Sequence, residues 1–329
     1  MENLYRAISA IVCISLAACG APSGGTHVSG IPALDVHSAV RHDTSGPITV
    51  STSDAGNNAI VICNPSCNQC KTVGGGLNAP MGNGSGPYHP PEMRARASRE
   101  YGLVADTYNS RVVVYTDTCS TVAILNDSTY SSSKTVAYFP EGVAVAPDGT
   151  VAVTNACAAP SCTGPGNIAF FARGSTKITS IATGLMSDYF FGDFDKHGNF
   201  YNDGLTSTGA TVVGIVKRGS KTDVSTGISG VGYPGGIQVA RNGTINIDDQ
   251  QCSCIRVYKG KKQLRTVTLS GTVDAVTFAF NKTNSDIWVA DKSTKTVYEF
   301  AYPAGGSSID SMGGFSEPIG VAVSPPDRP

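Results

Sequence analysis

Four acidic side chains lie at or beside the same place in a phrase that this chain repeats. Glu141 lies between Pro140 and Gly142, Glu92 follows two prolines, and later copies carry acids near the corresponding place: Asp193 and Asp274. Carboxylate oxygens are the ligands that a hard cation such as Ca²⁺ prefers. If the repeats bring these positions to one point, the sequence predicts a calcium site there. The alternative is that the four acids are separate, solvated residues.

A histidine is expected near the same point. His89 lies in Tyr88-His89-Pro90, and an imidazole is suited to general-base chemistry near neutral pH. Together with a metal ion, such a base would support a hydrolase or a lyase. A single histidine without evident partners is more often a surface or packing residue. The sequence contains no nucleophile elbow, HExxH zinc motif or P-loop that would indicate another reaction.

The elements that must position these residues belong to a phrase that recurs six times, at intervals of about 42 to 52 residues. Each copy is a β-rich run, an Asp or Asn anchor, a polar loop and a second β-rich run. The anchors are Asp54, Asp106, Asn155, Asp203, Asp249 and Asp291. All-strand units of this length are typical of β-propeller blades. Because a residue present in every blade serves a need of every blade, we expect the anchors to accept N–H groups of their loops.

The ends of the repeat indicate how the ring closes. The first copy begins at Ile48 without the inner strand that precedes the other copies, whereas residues 318–326 are such a strand with no copy after it. We therefore expect the C-terminal strand to complete the N-terminal blade, which removes two exposed sheet edges. The predicted fold is all-β, a six-bladed β-propeller of four-stranded blades over residues 47–329.

Two copies resemble a known repeat family. PEGVAVAPDGTVAVTN (140–155) and GLVADTYNSRVVVY (102–115) are similar to NHL repeats, in which Pro-x-Gly-Val-Ala-Val precedes Gly-x-Val-Tyr-Val-Ala-Asp and Asn-x-Arg-Val. The resemblance covers residues 48–326 and weakens in the fourth copy, where Phe190-Phe191-Gly192-Asp193 replaces the Pro-Glu-Gly-Val phrase. It implies a six-bladed propeller.

The resemblance implies little about chemistry, because propellers of this kind include lactonases, lyases, amidating enzymes and binding modules. The metal-dependent lactonases hold their ion with a Glu and a cluster of Asn and Asp residues. This chain offers the acids Glu92, Glu141, Asp193 and Asp274, without evident Asn members.

The first residues have the pattern of an export signal. Arg6 precedes an apolar run at 7–18, and Leu16-Ala17-Ala18-Cys19 resembles the bacterial lipobox, whose cysteine is lipidated. We expect residues 1–19 to be a lipoprotein signal peptide and residues 20–46 to be a flexible linker. Lipidation of Cys19 would hold the protein in the cell envelope, at the outer membrane, in the periplasm or at the cell surface. The alternative is an ordinary secretory signal with an incidental cysteine.

Export also accounts for the remaining cysteines. Beyond Cys13 and Cys19 their number is even, which in an exported domain favours disulfides. The candidates are Cys63, Cys67, Cys70, Cys119, Cys157, Cys162, Cys252 and Cys254. The loop CAAPSC makes Cys157–Cys162 the expected bridge, and the other pairings stay open. The Cys67-x-x-Cys70 spacing of a zinc half-site has no second half.

Charge limits the class of partner. With 24 basic and 25 acidic residues, the chain lacks the basic excess of a protein that binds nucleic acid by phosphate neutralisation. The leading hypothesis is a lipid-anchored binding or scaffold module for a protein or a glycan. The alternative is a metal-dependent, lactonase-like hydrolase or a lyase at the mouth of the channel. A polysaccharide binder would need exposed aromatic residues on one face, for which the sequence offers Tyr88, Tyr189 and Tyr233.

Overall fold

The computed structural model describes residues 36–37, 49–64, 69–73, 76–86, 88, 101–115, 121–126, 138–158 and 164–324, and the structural statements below concern these residues. They form six sheets of mainly antiparallel strands, with two short 3₁₀ turns, Ala55–Asn57 and Thr107–Asn109. No helix in this part of the chain is long and apolar enough to cross a membrane.

Each sheet is one blade of a propeller. Strands are numbered in chain order and given from the channel outward. Blade 1 consists of β26 (Pro318–Ser324), β2 (Thr49–Asp54), β3 (Ala59–Asn64) and β4 (Gln69–Val73); blade 2 of β5 (Pro80–Gly86), β6 (Tyr101–Asp106), β7 (Arg111–Tyr115) and β8 (Thr121–Asn126); blade 3 of β9 (Tyr138–Val145), β10 (Val151–Cys157), β11 (Asn167–Phe171) and β12 (Ser180–Ala182). Blade 4 consists of β13 (Asp188–Phe194), β14 (Phe200–Leu205), β15 (Thr211–Val216) and β16 (Asp223–Ser225); blade 5 of β17 (Pro234–Val239), β18 (Ile245–Asp249), β19 (Cys254–Lys259) and β20 (Lys262–Ser270); blade 6 of β21 (Ala275–Phe280), β22 (Asp286–Asp291), β23 (Thr296–Ala301) and β25 (Asp310–Met312).

The C-terminal strand closes the ring. Strand β26 pairs antiparallel with β2, from Thr49 opposite Ser324 to Asp54 opposite Pro318. Each inner strand also packs against the inner strands of both neighbouring blades. The prediction of an all-β, six-bladed propeller completed by its C-terminal strand is therefore confirmed.

Two short segments extend the outer edges of blades 5 and 6. Strand β24 (Gly306–Ser307) runs parallel to β20, and β1 (Val36–His37) pairs with β25. Strand β1 belongs to the segment that the sequence indicated as a linker, so two of its residues pair with the propeller. Such additions cover backbone groups that an outer strand would otherwise leave open.

The hydrophobic core is divided into layers between adjacent blades. Every neighbouring pair of blades shares one buried apolar cluster, for example Leu103 and Val153 between blades 2 and 3, or Trp288 and Val323 between blades 6 and 1. Because each sheet is covered on both faces, its strands are apolar almost without alternation; all six residues of β21 are buried. Burial between blades also explains why Tyr88 and Tyr189 have no exposed surface, contrary to the prediction that they lie on an open rim.

Every inner strand carries a β-bulge at the same level, and this sets the true alignment of the blades. The residues at the bulge are Met81, Glu141, Phe190, Gly235, Val276 and Ile319. The sequence alignment had placed Glu92, Phe191 and Asp274 at this level, and it was wrong in these three blades. The inner strand of blade 2 is Pro80–Gly86, and Asp274 precedes its strand by one residue.

The same register corrects one anchor. Asn155 lies opposite Pro140 and Asp249 lies opposite Pro234, but in blade 4 the residue opposite Tyr189 is Gly204. Asp203 therefore sits one residue before the anchor position, level with Asp248 of blade 5.

Candidate functional site

The mouth of the channel on the anchor side, called here the loop face, is closed by apolar side chains. Phe191, Val276 and Ile319 form a buried cluster, against which Met81 and Phe190 pack. Gly235 adds no side chain. Of the six described bulge positions, Glu141 therefore supplies the one ionisable group. A ligand approaching this mouth meets a hydrophobic floor with a single carboxyl group in it.

Glu141 is tuned to titrate near neutrality. Its pKa is raised to about 7, first by burial and then by the negative charge of Asp188. The residue as a whole is half-buried, and burial of its carboxyl group is the larger cause of this shift. A group with this pKa can accept hydrogen bonds when ionised and donate one when neutral. Asp188 begins the inner strand of the next blade, which places the two acids in one electrostatic neighbourhood.

Two aromatic pairs lie on either side of Glu141. Tyr108, which is 62% exposed, packs edge-to-face on Phe139 with ring centroids 5.7 Å apart. Tyr233, which is 43% exposed, packs on Phe190 with centroids 6.0 Å apart. Phe139 is two residues before Glu141, and Phe190 occupies the equivalent of the Glu141 position in the neighbouring blade. We call these four aromatic residues the aromatic rim.

Tyr233 belongs to the same electrostatic neighbourhood as Glu141. The pKa of its hydroxyl is raised first by burial and then by Glu141, with smaller effects of Lys292, which opposes the rise, and of Asp188 and Asp274. Lys292 Nζ lies 3.3 Å from Asp274 Oδ2, so that acid is paired. The loop face therefore combines exposed aromatic surface with acidic groups around the mouth of the channel.

Hydrogen bonds between side chains and backbone groups fix the two segments that carry the exposed tyrosines. The N–H groups of Gly232 and Tyr233 donate to the buried Asp249 carboxylate at 3.0 and 3.1 Å. Burial raises the pKa of Asp249, but these N–H groups and Arg256 outweigh it and the pKa is lowered. On the other side, Thr107 Oγ1 donates to the Pro140 carbonyl at 2.7 Å, which ties the Tyr108 turn to the strand that carries Glu141.

The anchors have the structural role that the sequence indicated in four blades. Each carboxylate accepts an N–H from the segment that leads into the inner strand of its own blade. The donors are Glu317 to Asp54, Asn78 to Asp106, Tyr233 to Asp249 and Val273 to Asp291. Asn155 instead donates to Asn167, and Asp203 accepts from Phe191. The anchor side chains thus stabilise loops through hydrogen bonds and are not free to coordinate an ion.

The described members of the predicted calcium set are not brought together. Glu141 lies at the loop face, whereas Asp193 lies three residues further along its inner strand, about 10 Å at ~3.3 Å per residue. Asp193 accepts the N–H of Val239 at 2.8 Å, and Asp274 is paired with Lys292. Glu92 and His89 lie outside the described residues. Within those residues no three His, Cys, Asp or Glu side chains form a group that could hold a metal, and the calcium site that includes Glu92 stays a prediction.

Sequence reasoning missed the buried acid Asp248 and placed the buried acid Asp203 one position off, among the anchors. Asp203 and Asp248 are fully buried at equivalent positions, and burial is the main cause that raises both pKa values well above the usual range. The equivalent residue in blade 3 is Thr154, whose hydroxyl accepts the N–H of Gly142 and donates to the carbonyl of Phe190 in the next blade. A neutral carboxylic acid offers the same donor and acceptor as a hydroxyl. Reading Ser53, Thr154, Asp203 and Asp248 as one aligned column would have found them.

At least four of the eight candidate cysteines take part in disulfides, and the expected Cys157–Cys162 bridge stays a prediction. Cys63 and Cys157 are each disulfide-bonded, and Cys252 is bonded to Cys254. Cys67, Cys119 and Cys162 lie outside the described residues. Cys70 lies opposite Cys63 in the pairing of β3 with β4.

Comparison with known proteins identifies the fold and no activity. No protein-family model matches this chain, and no curated protein matches it by sequence. Among solved structures, 1077 chains match, which shows that the architecture is widespread. One is a protein of unknown function from Bacteroides caccae, with a TM-score of 0.59 and 12% identity over 84% of this chain and 99% of that chain. At this identity the likeness concerns the fold alone, so function has to be argued from the site.

Proposed function

We propose that this protein is a glycan-binding module that holds its ligand on the loop face, over the closed mouth of the channel. The observation that carries the proposal is the aromatic rim around Glu141. Tyr108 and Tyr233 are exposed, each packs on a second ring, and hydrogen bonds fix the loop that carries each of them.

The chemistry of this surface matches that of a sugar ring. The C–H faces of a pyranose pack on aromatic rings, while its hydroxyl groups need hydrogen-bond partners such as carboxylates. The aromatic rim supplies the rings, and Glu141, with Asp188 beside it, supplies the carboxylates. Because the rim extends over several blades and the floor is closed by Phe191, Val276 and Ile319, the surface suits an extended oligosaccharide lying across it.

A second candidate is hydrolysis of the bound glycan. Glycoside hydrolysis uses two carboxyl groups with different proton affinities, one of which is raised to act as the acid. Glu141, whose pKa is raised to about 7, has the character of that acid, and Asp188 beside it supplies a second carboxyl group.

The location we propose is the cell envelope. The pattern of residues 1–19 supports export and lipidation at Cys19, and the disulfides of Cys63, Cys157 and Cys252 are typical of an oxidising compartment. The NHL-like phrases support descent of the blades from that repeat. A lipid-anchored propeller in this location would meet polysaccharides of the cell wall or the cell surface.

Affinity electrophoresis of the purified protein through gels that contain single soluble polysaccharides tests the proposal. We expect retardation by at least one glycan, and loss of affinity by about tenfold, or ~1.4 kcal/mol, in Tyr233→Ala. Leu264→Ala is the matched control, because Leu264 is 45% exposed on the outer strand of the same blade. Equal retardation of both variants, or none of the wild type, would contradict the proposal. Release of reducing ends that depends on Glu141 would assign the hydrolase.

A further inference from the structure

The loop between β18 and β19 contains a disulfide with an unusual setting. Cys252 and Cys254 are bonded across a single residue, Ser253. Cys252 is exposed on the loop face, whereas Cys254 is buried with 4% of its surface accessible. One sulfur of the bond is therefore open to attack from solvent, and the other is covered.

The loop does not depend on this bond for its shape. The corresponding loops of blades 1, 2 and 6 have the same length and place one residue in the left-handed region at the same position. These residues are Asn58 (φ 51°), Ser110 (φ 50°) and Lys295 (φ 59°), equivalent to Ser253 (φ 46°). None of the three loops contains a cysteine. In blades 1 and 2 the residue equivalent to Cys252 is an asparagine that donates to the anchor carboxylate.

Stabilisation is a weak explanation for the bond. A disulfide stabilises a fold chiefly by restricting the unfolded chain, and the effect grows with the length of the closed loop. A ring closed across one residue restricts very little. Asp249 already fastens the loop, because it accepts the N–H of Gln251 and the Nε–H of Arg256.

A cationic side chain lies beside Cys252. Arg256 Nη2 lies 3.9 Å from Cys252 Sγ, and the Asp249 carboxylate holds the Arg256 side chain in that place. A guanidinium beside a sulfur stabilises the thiolate, and stabilisation of the reduced form makes the disulfide a better oxidant. The sulfur of Cys252 is thus the one that a substrate can reach, and Arg256 favours its thiolate.

We propose that Cys252–Cys254 is a redox-active disulfide that exchanges with thiols of a peptide or protein reaching the loop face. A substrate thiolate attacks Cys252 Sγ, the Cys252–Cys254 bond breaks, and Cys254 leaves as a thiolate that takes up a proton. A second substrate thiolate then attacks the substrate sulfur of this mixed disulfide and releases Cys252. Two substrate thiols lose two electrons and two protons, and the loop gains both as a dithiol. The proposal is independent of glycan binding.

Differential alkylation in glutathione buffers measures how easily the Cys252–Cys254 disulfide is reduced in the whole protein. The tryptic peptide 242–256 contains Cys252 and Cys254 and no other cysteine, so mass spectrometry reports this pair alone. We expect half-reduction at a ratio [GSH]²/[GSSG] about tenfold or more below the ratio that reduces the disulfides of Cys63 and Cys157. Reduction together with those bonds, or after them, would overturn the proposal.

Two sets of variants test the direction of attack and the role of the arginine. Cys254→Ser, which leaves Cys252 free, is expected to trap a peptide disulfide as a stable mixed disulfide, whereas Cys252→Ser is not, because Cys254 is buried. In the reduced protein, Arg256→Met should slow alkylation of Cys252 by about threefold to tenfold. Arg111→Met is the matched control, since Arg111 makes the same contact with Asp106 in blade 2. Equal trapping by both serine variants, or an unchanged rate in Arg256→Met, would contradict the assignment.

Discussion

Thr154 Oγ1 donates a 2.5 Å hydrogen bond to the backbone carbonyl of Phe190, and this bond joins the second strand of blade 3 to the inner strand of blade 4. The same hydroxyl accepts the N–H of Gly142 within its own blade. Ser53 repeats the arrangement with Gly320 and Met81. One hydroxyl therefore satisfies two backbone groups at the bulge and fixes the spacing of neighbouring blades.

Thr154→Val should lower the free energy of unfolding by about 1–3 kcal/mol, because it leaves a buried N–H and a buried carbonyl without a partner while preserving the shape of the side chain. Thr154→Ser keeps the hydroxyl and is the control, with an expected cost below that of the valine variant. Urea unfolding followed by fluorescence of Trp288 measures the difference. A valine variant as stable as the serine variant would contradict the role of this hydroxyl.

Asp203 and Asp248 should make the fold lose stability as pH rises. Both pKa values are raised in the folded protein, mainly by burial, so the folded chain keeps protons that the unfolded chain releases above about pH 4. The stability they contribute is complete below the unfolded pKa and declines as pH rises towards the folded pKa. Replacement of both by threonine, the residue of blade 3, should flatten the dependence of unfolding free energy on pH. An equally steep dependence in the double variant would show that these acids are not its source.

Ligand affinity should depend on the ionisation of Glu141. If its carboxylate accepts sugar hydroxyls, affinity rises as pH increases through the pKa of about 7. Glu141→Gln keeps an acceptor without titration, so its affinity should not vary between about pH 6 and pH 8. Asp274→Asn is the control, because Asp274 is already paired with Lys292. The measurement is a series of affinity gels at different pH; a glutamine variant that still follows pH would rule Glu141 out.

The sequence predicted the number of blades and the closure of the ring because the anchors and their flanking strands recur in nearly constant form. It could not place the inner strand of blade 2. Strand β5 reads PMGNGSG and lacks an apolar pattern, since the inner strand of blade 3 lies directly against its backbone. A Cβ atom at Gly82 would meet the Glu141 carbonyl at 2.5 Å, and one at Gly84 would meet the Val143 carbonyl at 2.7 Å. The sequence therefore predicted the inner strand of blade 2 around Glu92 instead of at Pro80–Gly86.

The aromatic rim was also beyond sequence reasoning, because exposure depends on the side of the bulge on which a residue falls. Tyr189 and Phe190 are neighbours in the chain, yet Tyr189 is fully buried between blades and Phe190 packs under Tyr233 at the mouth. Nothing in residue type separates the two positions. The prediction of exposed tyrosines was correct for Tyr233 and wrong for Tyr88 and Tyr189.

Gly84→Ala tests the close approach of the inner strands. The added Cβ would lie 2.7 Å from the Val143 carbonyl oxygen. That oxygen cannot move aside, because β9 is hydrogen-bonded to β10. We expect a loss of unfolding free energy of about 1–3 kcal/mol, as for other overpacked sites. Gly313→Ala is the control, because its Cβ would meet no atom within 4 Å. Comparable midpoints in urea for the two variants would contradict the packing that we describe.

Removal of the loop disulfide should cost far less than removal of the carboxylate that fastens the same loop. The disulfide closes a loop of three residues, so it restricts the entropy of the unfolded chain only slightly. The double variant with Cys252→Ser and Cys254→Ser should therefore lower the free energy of unfolding by no more than about 1.6 kcal/mol. Asp249→Ala leaves the N–H groups of Gly232 and Tyr233 without their acceptor and leaves Arg256 unpaired, so it should cost about 3 kcal/mol or more. Thermal and urea unfolding of the two variants, each compared with wild type, measures the order. A double serine variant that is the less stable of the two would make the disulfide the structural support of the loop. The reverse order would leave Asp249 as that support, and the two sulfurs free to exchange electrons without loss of the fold.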